Sequence, residues 1–466
     1  MLFSSTAFLI VFLPLLFTVY FLCPKRFLSL RNAVLLVFSV VFYSFGGVKY
    51  TFLLVLSAML NYTGGLLVTY LHRKTVRKLA FIAAVLGNLA LLGFFKYSAF
   101  AVTTVNGLGF SFPVPEIVLP LGISFYTFQG MSYLMDVYTG RCAVQKNPLL
   151  LLLYIILFPQ LVAGPIVNYA DIEQELTCRT HSLADFSDGV TRFMVGFGKK
   201  MILSGAMGEA ADEVFKIPLA ELPASAAWVG AFAYFFQIYF DFGGYSDMAI
   251  GLGHIFGFHF HENFNYPYIA SSVTDFWRRW HISLSTWFRD YVYIPLGGNR
   301  CGKLKQIRNL LAVWFLTGLW HGANWTFIAW GLYYAAFLIL EKFVLKHVFE
   351  KLPKPVRHGY TLLVVLVGWV FFRSASLADA AGYLGAMFGF SDAVSVGQAE
   401  YFLRQYAAEF VLCAAASFPV IPWLRKKFEG STVMYSLGKA GAWGIFAISY
   451  VKLVTGSFDP FIYFHF

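Results

Sequence analysis

Long apolar runs separated by short polar gaps dominate the pattern of this chain. The runs cover 7–22, 32–45, 50–71, 79–95, 147–166, 226–250, 309–340, 360–372, 404–422 and 442–454, with 190–206 as a weaker one. A membrane-spanning helix needs ~20 mostly apolar residues, and helices satisfy their own backbone hydrogen bonds in lipid. The pattern therefore predicts an all-α, polytopic membrane protein with roughly ten or eleven spans.

Two aromatic stretches, 120–138 and 270–296, depart from this pattern because they contain Gly, Pro and polar residues. They suit re-entrant or interfacial helices that line a cavity, where irregular backbone is tolerated. The sequence contains no internal repeat, low-complexity tract or long soluble insert. We therefore expect a single membrane domain, residues 1–466, arranged around a central chamber.

The gaps between the first runs alternate in charge. Gaps 23–31 and 72–78 are basic, whereas gap 46–49 holds a single lysine. Because basic loops favour the cytoplasmic side, the alternation predicts cytoplasmic basic gaps and an N-terminus outside. No Lys or Arg precedes run 7–22 and no small-residue cleavage site follows it, so we expect a retained span rather than a signal peptide.

Composition supports a membrane protein and excludes several soluble classes. The chain is 59% hydrophobic and 13% charged, with a net charge of +11, and soluble domains carry roughly 25% charged residues. The basic residues occupy short gaps, which indicates contact with lipid headgroups rather than nucleic acid. The five cysteines have no metal-ligand spacing and are odd in number, so we expect neither a disulfide framework nor a zinc site.

The stretch FWRRWHISLSTWF, 276–288, concentrates arginine and tryptophan. Ser272 and Asp275 have capping-box spacing, which predicts a helix that begins there and continues through the stretch. Its helical stripe is apolar and comprises Trp277, Trp280, Leu284, Trp287, Phe288 and Tyr291. His281 follows Trp277 by four residues and should face the same side, either packed in the core or directed into the chamber.

The stretch WHGANW, 320–325, lies in a run from Asn309 to Leu340 without Asp, Glu, Lys or Arg. Gly322 and Asn324 predict a helix break after His321. At ~1.5 Å rise per residue, His321 lies about 18 Å from Asn309, past the middle of a ~30 Å hydrocarbon core. A histidine at this depth is a functional-site hypothesis; the alternative is a packing histidine bonded to a backbone carbonyl.

Polar side chains also interrupt the apolar stretch 239–253. Asp241 and Asp247 should face protein or a water-filled cavity, because isolated carboxylates are costly in lipid. Ser246 does not fit a nucleophile elbow, since Met248 replaces the final glycine. The following segment carries three histidines and a glutamate, for which solvated or headgroup-facing positions are favoured over metal binding: His254, His259, His261 and Glu262.

Five segments together resemble the membrane-bound O-acyltransferase (MBOAT) family, and within it the bacterial alginate and peptidoglycan O-acetyltransferase branch. They are LGISFYTFQGMSY (121–133), FPQLVAGPI (158–166), DFGGYSDMAIGLG (241–253), FWRRWHISLSTWFRDYVYIPLGGNR (276–300) and WHGANWTFIAWGLYY (320–334). The resemblance spans most of the chain and is densest between about 120 and 340. It implies a membrane enzyme whose essential histidine is His321, with His281 as a second family histidine.

The resemblance also implies an acyl thioester donor, acetyl-CoA in this branch, and an extracytoplasmic glycan or partner protein as acceptor. Acyl transfer needs a base near neutrality and a group that polarises the acyl oxygen. We expect His321 to be the base, and His281, Asn324 or a tryptophan N–H to hold the acyl group. The candidate substrate-binding residues are Asp241, Tyr245, Asp247, Trp277, Arg278, Trp280, Trp320 and Asn324.

Basic side chains are candidates for the phosphates of the donor, and lipid headgroups explain them equally well: Arg278, Arg279, Lys199 and Lys200. We expect no bound cofactor or metal, and a location in the bacterial inner membrane. Two alternatives stay open, an enzyme like the teichoic-acid D-alanyl transferases and a transporter of a polysaccharide intermediate. The acceptor glycan, the acyl group, a covalent intermediate and the oligomeric state are also left open.

Overall fold

The computed structural model describes residues 1–390 and 397–456, and within these ranges the chain forms helices and no β-strand. The first α-helices are α1 (Leu13–Leu22), α2 (Leu28–Ser44), α3 (Val48–Tyr70), α4 (Lys74–Leu92), α5 (Ser98–Asn106), α6 (Ile123–Thr139), α7 (Pro148–Ile156), α8 (Phe158–Leu161), α9 (Tyr169–Thr177), α10 (Leu183–Gly198) and α11 (Gly205–Phe215). They are followed by α12 (Ala224–Phe256), α13 (Val273–Arg279), α14 (Ile282–Phe288), α15 (Lys303–His321), α16 (Trp325–Phe343), α17 (Lys346–Lys351), α18 (Lys354–Arg373), α19 (Leu377–Met387), α20 (Gln398–Gln405), α21 (Ala407–Ala416), α22 (Val420–Lys427) and α23 (Thr432–Thr455). Wider π-helical turns are Phe8–Phe12, Gly93–Tyr97, Lys199–Ser204 and Arg289–Tyr293, and 3-10 turns are Leu219–Glu221 and Pro267–Ile269.

Several of these helices are apolar and long. Among the described residues, four stretches could cross a membrane by length and composition: Val48–Tyr70, Lys74–Asn106, Trp325–Phe343 and Lys354–Arg373. The pair α21 and α22, bent by 57°, would make a fifth, and Phe8–Leu22 and Leu28–Ser44 are shorter apolar helices. The prediction of an all-α polytopic protein is confirmed, and a total of roughly ten or eleven spans stays a prediction.

The apolar run 147–166 does not form the single span that its hydropathy predicted. Helix α7 ends at Ile156, Leu157 leaves the helical conformation with ψ 109°, and α8 has only four residues. Pro159 explains the break, because its ring would clash with the carbonyl of Ile155 in a continuous helix. From Leu151 to Ile166 the residues of this run are buried in protein, whereas Leu149 is exposed.

The chain divides into two compact units, of which the first comprises Met1–Phe193 and Ser246–His261. Its core contains clustered phenylalanine rings, such as Phe12 against Phe158 with centroids 5.5 Å apart. Helices α3 and α4 are joined by a reciprocal amide pair, in which Asn61 and Asn88 each donate to the other's Oδ1 at 3.0 and 2.9 Å. Helix α6, which covers most of the stretch 120–138, is buried on every face from Ile123 to Leu134.

The second unit comprises Met194–Tyr245 and Glu262–Phe466. Its core is rich in tryptophan, and the buried rings at the centre are Trp277, Trp280, Trp314, Trp330 and Trp369. Both histidines singled out from the sequence, His281 and His321, lie in this unit. The organisation of residues 1–466 as a single domain stays a prediction.

Candidate active site

His321 is the last residue of α15, and the chain turns away directly after it. Gly322 is extended, with φ −163° and ψ 153°, and α16 begins at Trp325. The break predicted after His321 is therefore confirmed. The His321 ring is 5% exposed and packs edge-on against Trp330 and Phe372, with centroids 4.9 and 5.2 Å away.

Helices α15 and α16 pack closely through glycines, which fixes the position of His321. A Cβ on Gly331 would come within 3.2 Å of the Cα of Gly318 on the facing helix. Contacts under 3.4 Å are tighter than ordinary packing allows, so only small residues permit this approach. The turn between the helices is closed by Asn324, whose Oδ1 accepts from the N–H of Thr326 at 3.1 Å and whose Nδ2 donates to the carbonyl of Ala375 at 2.9 Å.

The helix is also interrupted at His281, where a continuous helix was predicted. Helix α13 ends at Arg279, Trp280 is extended, and His281 has a left-handed backbone with φ 43°. A histidine in this conformation is uncommon and carries backbone strain. The prediction of one continuous helix through His281 is therefore wrong, although its ring is buried among aromatic side chains as expected. The cap at Ser272 is confirmed, since its Oγ accepts from the N–H of Asp275 at 2.9 Å.

Hydrogen bonds to Asn263 explain why the helix is interrupted at His281. Its backbone carbonyl accepts from the N–H of Ile282 at 2.9 Å. Its side-chain Oδ1 accepts from the N–H and hydroxyl of Ser283 at 3.3 and 2.9 Å, and lies 3.1 Å from His281 Nδ1. These bonds replace the intrahelical bonds that the break removes.

The same bonds define the tautomer of His281. The backbone N–H of Ser283 can only donate, which identifies the Asn263 atom as the amide oxygen. In the neutral imidazole, Nδ1 then carries the proton that this oxygen accepts, and Nε2 carries the lone pair. The ring is 1% exposed, and Nε2 has no hydrogen-bond partner among residues 1–390 and 397–456. Neutral His281 is therefore built to accept a proton or a hydrogen bond at Nε2.

Trp320 connects the two histidines. Its ring centroid lies 6.0 Å from the His281 ring and 5.0 Å from the His321 ring. On the opposite side, Phe242 meets His281 edge-on at 4.6 Å. The site is thus an aromatic enclosure that contains two buried imidazoles.

The other two tryptophan candidates, Trp277 and Trp280, pack against further aromatic side chains of the second unit. Trp277 packs against Trp314 at 4.7 Å and Tyr334 at 4.8 Å, and Trp280 packs against Trp369 at 4.8 Å. All six members of the apolar stripe predicted from the sequence are buried in protein, although they are distributed over α13, the extended Trp280, α14 and a π-helical turn.

The two aspartates have different partners, and Asp241 is buried whereas Asp247 is partly exposed. Asp241 forms an ion pair with Lys200, and both side chains are almost fully buried. Tyr245, one turn after Asp241 on α12, is also buried. Asp247 belongs to the first unit, where Arg192 contacts its Oδ1 with Nη2 at 2.8 Å and Nε at 3.1 Å. Both aspartates therefore face protein, as predicted, and each is matched by a cation.

The basic residues proposed to bind the donor phosphates differ in exposure and in their ion pairs. Arg278 is exposed, Arg279 pairs with Asp275 at 2.9 Å within α13, and Lys200 is engaged by Asp241. Arg278 is the candidate of these three whose charge faces the surface.

Two residues that support the site were missed in the sequence. Asn263 lies in the loop-like stretch after the histidine segment, and Glu341 lies at the end of α16. The Glu341 carboxylate is 8% exposed and accepts from the N–H of Val273 at 2.7 Å and from the N–H and hydroxyl of Thr274 at 3.0 and 2.9 Å. A lone carboxylate at the end of an apolar run was the available signal, because such a group needs buried donors.

Two of the three histidines of segment 254–262 pair with carboxylates in the first unit, and the ring of His254 lies 5.3 Å from that of His259. The imidazole and backbone N–H of His259 contact the two carboxylate oxygens of Glu175 at 2.7 and 3.0 Å, and His261 lies 3.6 Å from Asp171. The hydrogen bond and charge of Asp171 raise the pKa of His261. In the part of the chain that the structure describes, no three His, Cys, Asp or Glu side chains are grouped to hold a metal ion.

Comparison with known proteins identifies relatives of this chain. The model of MBOAT, the membrane-bound O-acyltransferase family, matches residues 141–377, which include both histidines. The chain is 39% identical to a probable alginate O-acetylase AlgI of Azotobacter vinelandii, with all of both chains covered. It is 36% identical to a peptidoglycan O-acetyltransferase of Helicobacter pylori, over 88% of this chain and 83% of the relative. A teichoic acid D-alanyltransferase of Bacillus subtilis is 31% identical, over 56% of this chain and 68% of the relative.

Proposed function

The chain belongs to the membrane-bound O-acyltransferase family and is an O-acetyltransferase, and from this premise we propose that His321 is the base that drives transfer. The donor is a cytoplasmic thioester, acetyl-CoA, and the acceptor is a hydroxyl of an extracytoplasmic glycan or of a partner protein. The observation that carries the proposal is the pair of buried imidazoles around Trp320 at a helix break.

The chemical step needs no group beyond these side chains and the two substrates. His321 takes the proton of the acceptor hydroxyl as its oxygen attacks the thioester carbonyl. The C–S bond then breaks, the ester forms, and His321 returns the proton to the leaving thiolate. A base with a pKa near neutrality suits both proton transfers.

His281 supports this step from the other side of Trp320. Because Nε2 carries the lone pair, His281 orients the reacting hydroxyl or the His321 ring by accepting a hydrogen bond. Polarisation of the acyl oxygen needs a donor, and a tryptophan N–H supplies it better than neutral His281 does. Asn324 contributes by closing the turn after His321, since both ends of its amide are engaged there.

A glycan is the acceptor class favoured by the names of the relatives. Two of them are described as O-acetylating alginate and peptidoglycan, and each aligns over more of this chain than the D-alanyltransferase does. This favours acetyl over D-alanyl as the transferred group, and it favours the enzyme over the transporter. A long glycan fits poorly into a membrane chamber, so a small extracytoplasmic partner receives the acetyl group first.

The two substrates are on opposite sides of the membrane. A coenzyme-A thioester carries phosphates that cannot enter hydrocarbon cheaply, so the donor pocket opens to the cytoplasm and the acceptor opening is outside. This route follows from the predicted orientation in the bacterial inner membrane, with the N-terminus outside and gap 72–78 inside. Arg278 and Lys199 are candidates for the donor phosphates, and lipid headgroups compete for them.

Proteoliposomes with radiolabelled acetyl-CoA on one side test both parts of the proposal. We expect an acceptor on the opposite side to be acetylated by the wild type and not by His321→Ala. Single-cysteine labelling near residue 75 establishes the orientation of the inserted protein. Equal transfer with donor and acceptor on the same outer side would overturn the two-sided route, and transfer that survives in His321→Ala would overturn the role of His321.

A further inference from the structure

Four basic side chains meet in the first unit, whereas the two histidines of the candidate active site belong to the second unit. Arg31 lies on the first turn of α2, and Lys25 is in the loop before it. Arg179 and His181 lie in the loop between α9 and α10. Tyr20 joins them: its hydroxyl accepts from Arg179 Nη2 at 3.1 Å and lies 2.7 Å from His181 Nε2.

The hydrogen bonds of Lys25, Arg31 and Arg179 end on neutral acceptors. Arg31 donates with Nε and Nη2 to the carbonyl of Cys23 at 3.1 and 2.8 Å. Arg179 donates to the carbonyls of Phe256 and Glu175 and to Asn32 Oδ1, at 2.9, 3.2 and 2.6 Å. Lys25 reaches the carbonyl of His181 at 3.4 Å.

The charge of Glu175 acts on Arg179, but both carboxylate oxygens of Glu175 contact His259. Within residues 1–390 and 397–456, no ion pair joins Lys25, Arg31 or Arg179 to a carboxylate. The cluster therefore carries more positive charge than this one carboxylate can balance.

One donor of the cluster is buried without a partner. Arg31 is 2% exposed, and its Nη1 has no hydrogen-bond partner among residues 1–390 and 397–456. A buried guanidinium N–H without an acceptor is costly, and a buried charge without a counter-ion is more so. Burial, followed by the charges of Arg31, Arg179 and Lys25, lowers the pKa of His181 to about 4, so the three cations also act on this imidazole.

We propose that the cluster of Lys25, Arg31, Arg179 and His181 binds a phosphate-bearing anion. Planar guanidinium groups match phosphate oxygens in pairs. Exposed Lys25 and partly exposed His181 form the open side through which the anion arrives. A lipid headgroup and a soluble phosphate compound both carry this chemistry, and either would supply the acceptor that Arg31 Nη1 lacks.

Binding is measured on the purified full chain in an uncharged maltoside detergent, by the shift in melting temperature. One titration adds phosphatidylglycerol in mixed micelles, with diacylglycerol as the phosphate-free lipid. The other adds inorganic pyrophosphate, with chloride at equal ionic strength. The test variants are Lys25→Ala and Arg179→Gln. The matched control is Arg26→Ala, because Arg26 is an exposed arginine in the same loop as Lys25 and stacks on Phe27.

We expect at least one of the two probes to raise the melting temperature in a saturable way. The apparent affinity for that probe should be roughly tenfold weaker in each test variant, because each variant removes a charge-assisted hydrogen bond. In Arg26→Ala the apparent affinity should stay within about twofold of wild type. A response to the lipid alone identifies a headgroup site, and a response to pyrophosphate alone identifies a soluble ligand. If Arg179→Gln does not fold, Lys25→Ala on the exposed rim decides the result. Absence of saturable binding, or an equal loss in Arg26→Ala, would overturn the proposal.

Discussion

Replacing Asn263 by alanine should lower activity through His281 rather than through a contact with substrate. The Asn263 oxygen accepts from His281 Nδ1 and from two donors of Ser283. Without it, the neutral imidazole loses the bond that fixes its tautomer and its orientation. One such hydrogen bond is worth about 1–1.5 kcal/mol, which corresponds to roughly a tenfold loss in kcat.

The same change should also reduce stability by a predictable amount. Three donors lose their acceptor: the buried His281 Nδ1 and the partly buried N–H and hydroxyl of Ser283. The Ser283 hydroxyl lies 3.4 Å from His281 Nδ1, so it can accept from the imidazole and itself bond to water, which leaves the N–H of Ser283 without an acceptor. At about 1–3 kcal/mol for one unsatisfied donor, we expect the free energy of unfolding to fall by about that amount, with the protein still folded in detergent.

A double-mutant cycle separates the two effects. Acetyl transfer is measured for Asn263→Ala, for His281→Ala and for the double variant, each after its melting temperature is recorded. If Asn263 acts through His281, the double variant should be no less active than His281→Ala alone. Asn265→Ala is the matched control, because this asparagine is exposed in the same loop. Multiplying losses in the double variant, or wild-type activity in Asn263→Ala despite lower stability, would refute the reasoning.

Three further outcomes follow. His321→Ala should abolish transfer with a nearly unchanged melting temperature, whereas His281→Ala should lose less activity; equal and non-additive losses would assign both to one catalytic unit. Glu341→Ala should destabilise the protein by about 3–5 kcal/mol and Glu341→Gln by less, since glutamine keeps one acceptor for the buried N–H groups of α13; equal melting temperatures of the two variants would contradict this. The pKa of His181 is about 4 in the folded chain against 6.5 in the unfolded chain, so neutral His181 contributes fully to folding stability above pH 6.5 and this contribution is lost as pH falls towards 4. The melting temperature of His181→Gln should therefore depend less on pH between 6.5 and 4 than that of the wild type. An equal pH dependence of the two melting temperatures would contradict this prediction.

The sequence predicted those parts of the site that depend on local pattern. The break after His321 followed from Gly322 and Asn324, and the start of α13 followed from the cap at Ser272. Hydropathy and the low fraction of charged residues were sufficient to predict an all-α membrane protein. The cost of placing a carboxylate in lipid was sufficient to predict that Asp241 faces protein.

The parts that were missed depend on contacts between distant segments. The break at His281 is stabilised by Asn263, 18 residues away, and the start of α13 is bound by Glu341, 68 residues away from Val273. Helical spacing describes only neighbours along one helix, so it predicted a continuous helix through Trp280. The interruption of run 147–166 was a different error, because the average hydropathy of the run outweighed the single proline at 159.

The left-handed backbone of His281 has a consequence for how its chemistry can be isolated. Alanine at φ 43° keeps the strain of a side chain in that conformation, whereas glycine adopts it freely. A glycine there would leave a space shaped like an imidazole ring, bounded by Phe242, Trp320 and the amide of Asn263. Imidazole added to the buffer is the ligand that fits this space, so the ring could be supplied and withdrawn as a reagent while the chain itself stays folded.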